Sequence, residues 1–174
     1  MMHVAPVSPE QYESLIELLC ELYRHYNPEA SVSRDVVRDH LTGNLLAPGS
    51  AVRLIVAADA AKNIVGFAAI MLLHSLVDPT PANRHQCMVK ELYVRAGHRG
   101  DGVGRNLMAW VARYAVDQGC CRIDWHVQAS NHAGIRFYAG LGAERVQTRL
   151  SYRLKRPEMD ALASSSQDVS CKAT

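Results

Sequence analysis

The stretch Tyr93 to Trp110, YVRAGHRGDGVGRNLMAW, sets Gly100, Gly102 and Gly104 at alternate positions just before a helical pattern. Glycine has no Cβ, so such a turn lets the main chain approach a ligand closely and aim its N–H groups at it. From Asn106 onward, Leu107, Val111 and Tyr114 fall on one face at helical spacing. A strand, a glycine turn and a helix N-terminus in succession make an anion site, because the first N–H groups of a helix have no acceptor within it.

The residues just after the glycines decide between known anion loops. A nucleoside-triphosphate loop needs GxxxxGK[ST], with lysine on the phosphates and a hydroxyl on magnesium; here Arg105 and Asn106 come after Gly104. The dinucleotide fingerprint GxGxxG sits behind an early strand and needs an acid about 20 residues on. This chain instead has GxGxG in its second half, after several strands. Neither loop type matches.

The elements that position the turn can be read outward from it. A chain of 174 residues, 48% apolar and 21% charged, describes one globular domain with a core of its own. Its net charge of +2 comes without any block of like charges that would act as a nucleic-acid arm. No apolar run approaches the ~18 residues of a membrane span. Neither nucleic acid nor membrane is expected as a partner. Cys20, Cys87, Cys120, Cys121 and Cys171 form an odd set without CxxC, and the expected setting is a reducing cytoplasm.

Along the chain, a strand at His3 to Val7 precedes Ser8 and Pro9, a helix N-cap followed by proline. The first helix runs to about Tyr26 with Tyr12, Leu15, Leu19 and Leu22 inward, and a second spans Arg34 to Leu46 behind Ser33. Strands are expected at Arg53 to Ala58, Ile64 to Val77 and Cys87 to Val94, the last two joined by the polar loop DPTPANRH. The glycine turn and its helix come next, closed at Gly119. A strand at Cys121 to Val127, a short helix at Asn131 to Gly140 and a final strand or hairpin at Ala143 to Leu154 complete the order. This pattern predicts an α/β fold around a mixed sheet. The Ser-rich tail SSSQDVSCKAT lacks periodicity and is expected to be disordered.

The pattern R-x-x-G-x-G, met by Arg99, Gly102 and Gly104, resembles motif A of the GNAT superfamily of acyl-CoA-dependent N-acyltransferases. KELYV before it is similar to that family's fourth strand. NHAGIRFYAGLGAERV after it is similar to motif B, with Asn131, Tyr138, Leu141 and Gly142 at the matching places. The order of elements matches from about residue 4 to residue 155. Within the family, RIDWHV and a final YRL resemble the branch that contains spermidine/spermine acetyltransferases.

The resemblance implies a single-domain GNAT fold over residues 1–155, with a mixed, mostly antiparallel sheet, helices on both faces, and a tail at 156–174. It implies acetyl-CoA as co-substrate, no metal, a small amine acceptor, and a homodimer. Transfer is by direct attack in a ternary complex. The cofactor would be held by Leu92, Tyr93, Val94, Arg99, Gly100, Asp101, Gly102, Val103, Gly104, Arg105 and Asn131. Tyr138 matches the tyrosine that protonates the departing thiolate.

A base is also required, and Glu91 is the first choice because it lies on the strand that ends at the turn; otherwise it is an exposed strand residue or an ion-pair partner of Lys90. Where the polyamine branch often carries an acid before this position, the chain has Lys90. Asp124 and His126 share a face of the fifth strand by alternation, as a proton relay or as a packed histidine beside Trp125. Glu10, Glu13, Glu17 and Glu21 form a stripe on the first helix. That stripe is either a guide for a cationic acceptor or a solvated face. Polyamines, diamines, amino acids, aminoglycosides and peptide amines all remain open as acceptors, as does a non-catalytic acyl-CoA-binding module.

Overall fold

The computed structural model describes residues 2–165. The end of the expected tail, with Cys171, lies outside the described residues. Two compact units divide between Gly134 and Ile135.

The first unit is built on a five-stranded sheet: β1 (His3–Pro6), β2 (Arg53–Ala58), β3 (Ile64–His74), β4 (His85–Val94) and β5 (Cys120–Trp125), neighbours in that order. The first three pairings are antiparallel and β4–β5 is parallel. A parallel neighbour needs a crossover, and α3 (Val103–Asp117) supplies it. The expected mixed, mostly antiparallel sheet is what forms.

Both faces of the sheet are covered. The first helix begins as a 3₁₀ turn, Pro9–Gln11, where Gln11 Oε1 accepts from the Ser8 N–H at 3.0 Å, and continues as α1 (Tyr12–Tyr26). Leu15, Ile16 and Leu18 of α1 are fully buried against Leu54, Val56, Phe67 and Ala69. Each such side chain contributes about 1.5–3 kcal/mol, so apolar burial fixes α1 on this face. Ser14 Oγ also accepts from the Ile64 N–H at 2.8 Å, pinning the helix to the start of β3. Next comes α2 (Arg34–His40), capped by Ser33 Oγ on the Val36 N–H, and it widens into a π-helical turn at Leu41–Leu45.

On the other face, α3 buries Val103, Leu107, Met108, Val111 and Ala115. It seats so closely that a Cβ on Gly66 would lie 3.0 Å from the Tyr93 carbonyl oxygen, 3.0 Å from Val103 Cγ1 and 3.3 Å from Leu107 Cδ1.

Beyond shifts of one or two residues at strand ends, the structure departs from expectation at β3, at β5 and after α4. β3 stops at His74 because Ser75 Oγ turns back onto the Val77 and Asp78 N–H groups, leaving Leu76 and Val77 exposed in the loop. β5 ends at Trp125, so His126 lies beyond it. In the second unit, residues 143–154 form no strand. Leu150 and Tyr152 are 79% and 88% exposed, so the alternating pattern that suggested a strand has no surface to bury against.

The second unit carries most of α4 (His132–Ala139) and then α5 (Arg156–Ser165), a helix where the sequence suggested a tail. Arg156 Nε donates to Asp160 Oδ1 at 2.8 Å along α5. Among the described residues, no helix is long and apolar enough to cross a membrane.

Because the crowding at Gly66 involves backbone as well as side chains, Gly66→Ala is expected to push α3 off β3 and cost about 1–3 kcal/mol, read as a lower denaturant midpoint with unchanged slope.

Candidate active site

The side chain of Glu91 owes its direction to an irregularity in β4. Val89 stands opposite Ile70 while Glu91 stands opposite Ala69, so Lys90 is an extra residue with no partner in β3. In a regular strand, residues two apart share a face. The bulge breaks that rule and turns Glu91, with Tyr93 after it, onto the face of Ala69 and Phe67, which α1 covers. The same point marks the end of the β4–β5 ladder, whose last pair is Val89 with Trp125. Among the described residues, Lys90 to Val94 have no pairing partner in β5.

Glu91 is half-buried, and its Oε1 accepts from the Tyr26 hydroxyl at 3.2 Å. Burial pushes its carboxyl above the usual carboxylate range. The Tyr26 hydroxyl, the Leu92 N–H and the charges of Lys90 and His25 act against that rise without cancelling it. The anticipated Lys90–Glu91 pair is thus a weak influence, since Lys90 is an exposed bulge residue.

Tyr93 is buried, and its hydroxyl donates to Glu21 Oε1 at 3.0 Å. Glu21 Oε2 lies 3.3 Å from Arg95 Nε. Leu92 and Val94 stand opposite Ala68 and Gly66, on the α3 face.

The turn itself behaves partly as expected. Gly100 and Gly102 have φ of +93° and +80°, a left-handed conformation that side chains disfavour. Gly102 is the N-cap of α3, and a Cβ on it would meet nothing within 4 Å. The opening therefore faces free space. Gly104 already lies inside the first turn of α3, with Val103 buried beside it and Arg105 exposed. By position in the helix, the N–H groups of Val103, Gly104 and Arg105 have no intrahelical acceptor. Asp101 is exposed and stands 4.0 Å from His98 Nδ1. Arg99 turns inward: its Nε donates to the Val94 carbonyl at 2.9 Å and its guanidinium lies 5.6 Å from the centroid of the Tyr93 ring. It braces the turn.

Asn131 also has a structural contact, its Oδ1 accepting from the Gly134 N–H at 2.8 Å at the start of α4. A Cβ at Gly134 would fall 2.7 Å from Asn131 Nδ2, so the cap needs glycine there. Within the second unit, Tyr138 is half-buried and packs edge-on against Phe137, centroids 5.1 Å apart. Its carbonyl accepts from the Leu141 and Ala143 N–H groups, with Gly142 at φ +83° closing the helix.

Two sequence readings change. Asp124 Oδ2 accepts from Arg122 Nε at 2.8 Å, and with His126 past the strand the alternation that would align the two no longer applies. Three of the four glutamates of the stripe are paired: Glu13 with Arg34 and Arg38, Glu17 with Arg34, and Glu21 with Arg95. The contacts that sequence reasoning missed are the Lys90 bulge, the Tyr26–Glu91 bond and the Glu21–Tyr93–Arg95 group. None has a periodic signal, and only the position of Tyr26 at the end of an apolar helix face hinted at a role.

The profile of the Acetyltransferase (GNAT) family matches residues 12–143. Thialysine N-epsilon-acetyltransferase of Bos taurus is 28% identical over 74 residues, which is 42% of this chain and 44% of that protein. An integron cassette protein from the mobile metagenome of V. cholerae superposes with a TM-score of 0.84 at 25% identity, covering 93% of this chain and 97% of its own. The aminoglycoside N-acetyltransferase AAC(6')-Iy in complex with CoA gives a TM-score of 0.71 at 20% identity over 90% of this chain and 95% of its own, a likeness of fold. With the bulged strand, the left-handed glycine turn and a profile match running through most of its length, the chain belongs to the Acetyltransferase (GNAT) family, an acyltransferase family whose members use acetyl-CoA.

Proposed function

We propose that the protein is an N-acetyltransferase that moves the acetyl group of acetyl-CoA to the primary amine of a small cationic acceptor, by direct attack in a ternary complex. One observation carries this reading: a half-buried carboxylate, Glu91, on an edge of β4 without a ladder partner, in the strand that runs into the left-handed glycine turn of α3. Likeness to a thialysine acetyltransferase supports the acceptor class. The α1 stripe gives less support, because Glu13, Glu17 and Glu21 are already paired with arginines.

The protonation state of the amine sets the chemistry. An alkylammonium with a pKa near 10.4 is protonated at pH 7, and exposing its lone pair costs roughly 4–5 kcal/mol. Glu91 takes that proton directly or through a water, and its raised proton affinity makes it a better base than an exposed carboxylate. The nitrogen lone pair then forms the C–N bond at the thioester carbonyl, and the second proton that the nitrogen sheds on becoming an amide goes to solvent or restores the Tyr138 hydroxyl after it has protonated sulfur. Backbone N–H groups of β4 around Leu92 donate to the oxygen as it gains charge.

As the C–S bond breaks, its electron pair leaves on sulfur and the Tyr138 hydroxyl supplies the proton. The N–H groups between Arg99 and Arg105 receive the pyrophosphate, with the positive end of the α3 dipole behind them. Arg99 serves by holding the turn, and Asn131 by fixing the start of the helix that carries Tyr138. By resemblance to the family the assembly is a homodimer, which the solution mass reads.

Tyr138→Phe and Glu91→Gln are each expected to lower kcat by about 10²-fold in a thiol-release assay across polyamines, diamino acids, aminoglycosides and lysine peptides, while CoA still binds. CoA binding by the wild type without transfer to any of these amines would leave an acyl-CoA-binding module instead.

Glu91→Gln carries a second expectation, on stability. Burial raises the folded carboxyl above its unfolded value, so the ionised form opposes folding once the pH exceeds the folded value, and this opposition vanishes below the unfolded value. The glutamine variant should therefore show a higher denaturant midpoint than wild type at pH 8, and the advantage should fade as the pH falls toward about 4.

A further inference from the structure

We propose that Tyr26 is a positioning residue for the acetyl transfer: its hydroxyl holds one oxygen of the Glu91 carboxylate and leaves the other to face the acceptor amine. The inference rests on the reading of Glu91 as the base. Tyr26 is the last residue of α1, 65 positions from Glu91 in sequence, and its hydroxyl donates to Glu91 Oε1 at 3.2 Å. Neither residue could reach the other without the Lys90 bulge, which turns Glu91 to the α1 face.

The ring of Tyr26 is itself held. It lies edge-on to His25, centroids 5.2 Å apart at 68°, and the His25 ring leans on Tyr93 at 5.9 Å. Tyr93 in turn bonds Glu21, one turn earlier on α1. The last turn of α1 is therefore tied to β4 at two points, and Glu91 is one of them.

A strand carboxylate rotates about its side-chain torsions unless a donor fixes its plane. Among the described residues, the groups that act on the Glu91 carboxyl are the Tyr26 hydroxyl and the His25 charge from α1 and, on its own strand, the Leu92 N–H and the Lys90 charge, while Ala69 of β3 stands opposite it. Of these side chains, the Tyr26 hydroxyl is the one whose hydrogen bond to the carboxylate the structure shows. Burial and the Glu91 charge keep its phenol protonated well above neutral pH, so it remains a donor throughout the working range.

Tyr26→Phe keeps the ring and removes only the hydroxyl, and with half the side chain in solvent the fold should tolerate it. The first readout needs no acceptor: a carbon-13 NMR titration of the Glu91 carboxyl in the full chain. Losing a bond to the ionised form should move the Glu91 titration to higher pH. The second readout is kinetic. We expect kcat lower by about tenfold, the KM for acetyl-CoA unchanged, and the acid limb of the pH–rate profile displaced upward with the carboxyl. In the Glu91→Gln background, Tyr26→Phe should cost little more, because the two residues act as one unit.

An unmoved Glu91 titration overturns the proposal, as does full turnover by Tyr26→Phe with the titration displaced. Full turnover by Glu91→Gln would overturn the base reading instead. The titration would then still report separately whether Tyr26 holds the carboxylate.

Discussion

One surplus residue in β4 governs the arrangement. With Lys90 unpaired, the strand changes parity: Cys87 and Val89 stand with Leu72 and Ile70, and Glu91 and Tyr93 stand with Ala69 and Phe67. The carboxylate and the phenol beyond the bulge both meet donors and acceptors from the last turn of α1, and the β4–β5 ladder stops at the same point. A single register change thus aims a side chain, opens a strand edge and fixes which helix attends the site.

Charge on this face is largely spent within the protein. Glu13 and Glu17 hold α2 through Arg34 and Arg38, while Glu21 divides its oxygens between Tyr93 and Arg95. These ion pairs are mostly exposed and add little to stability beside the buried Leu15, Ile16 and Leu18. Their effect is on location. They fix α2 and the C-terminal half of α1 in place, the latter against β4.

Much of this was legible in the sequence, for reasons that can be named. The apolar spacing of Leu15, Leu19 and Leu22, the Ser33 cap, the strand Arg53–Ala58 and the glycine turn are local signals, and each element formed where its signal lay. The bulge was not legible, since CMVKELYV reads as an unbroken strand and only the pairing with β3 shows that Lys90 has no partner. The environment of Arg99 was not visible either: its Nε bonds the Val94 carbonyl and its guanidinium lies over the Tyr93 ring, contacts that follow no periodic pattern. The run from 143 to 154 failed in the opposite sense. It has β propensity, but propensity expresses fit to a half-buried surface, and its apolar side chains are exposed.

The seat of α3 on Gly66 has a consequence for the thermodynamics of ligand capture. The helix rests on main chain with no side chain between, and Arg99 clasps the loop to the Val94 carbonyl, so on the proposed function the N–H groups of the turn hold their direction before the pyrophosphate arrives. Little conformational freedom is then left to lose on association, and affinity at this end of the site depends chiefly on how well the anion matches a fixed set of donors. On that reading, a turn held by Arg99 and by the seat of α3 leaves any adjustment to the acceptor to the Glu91 end of β4.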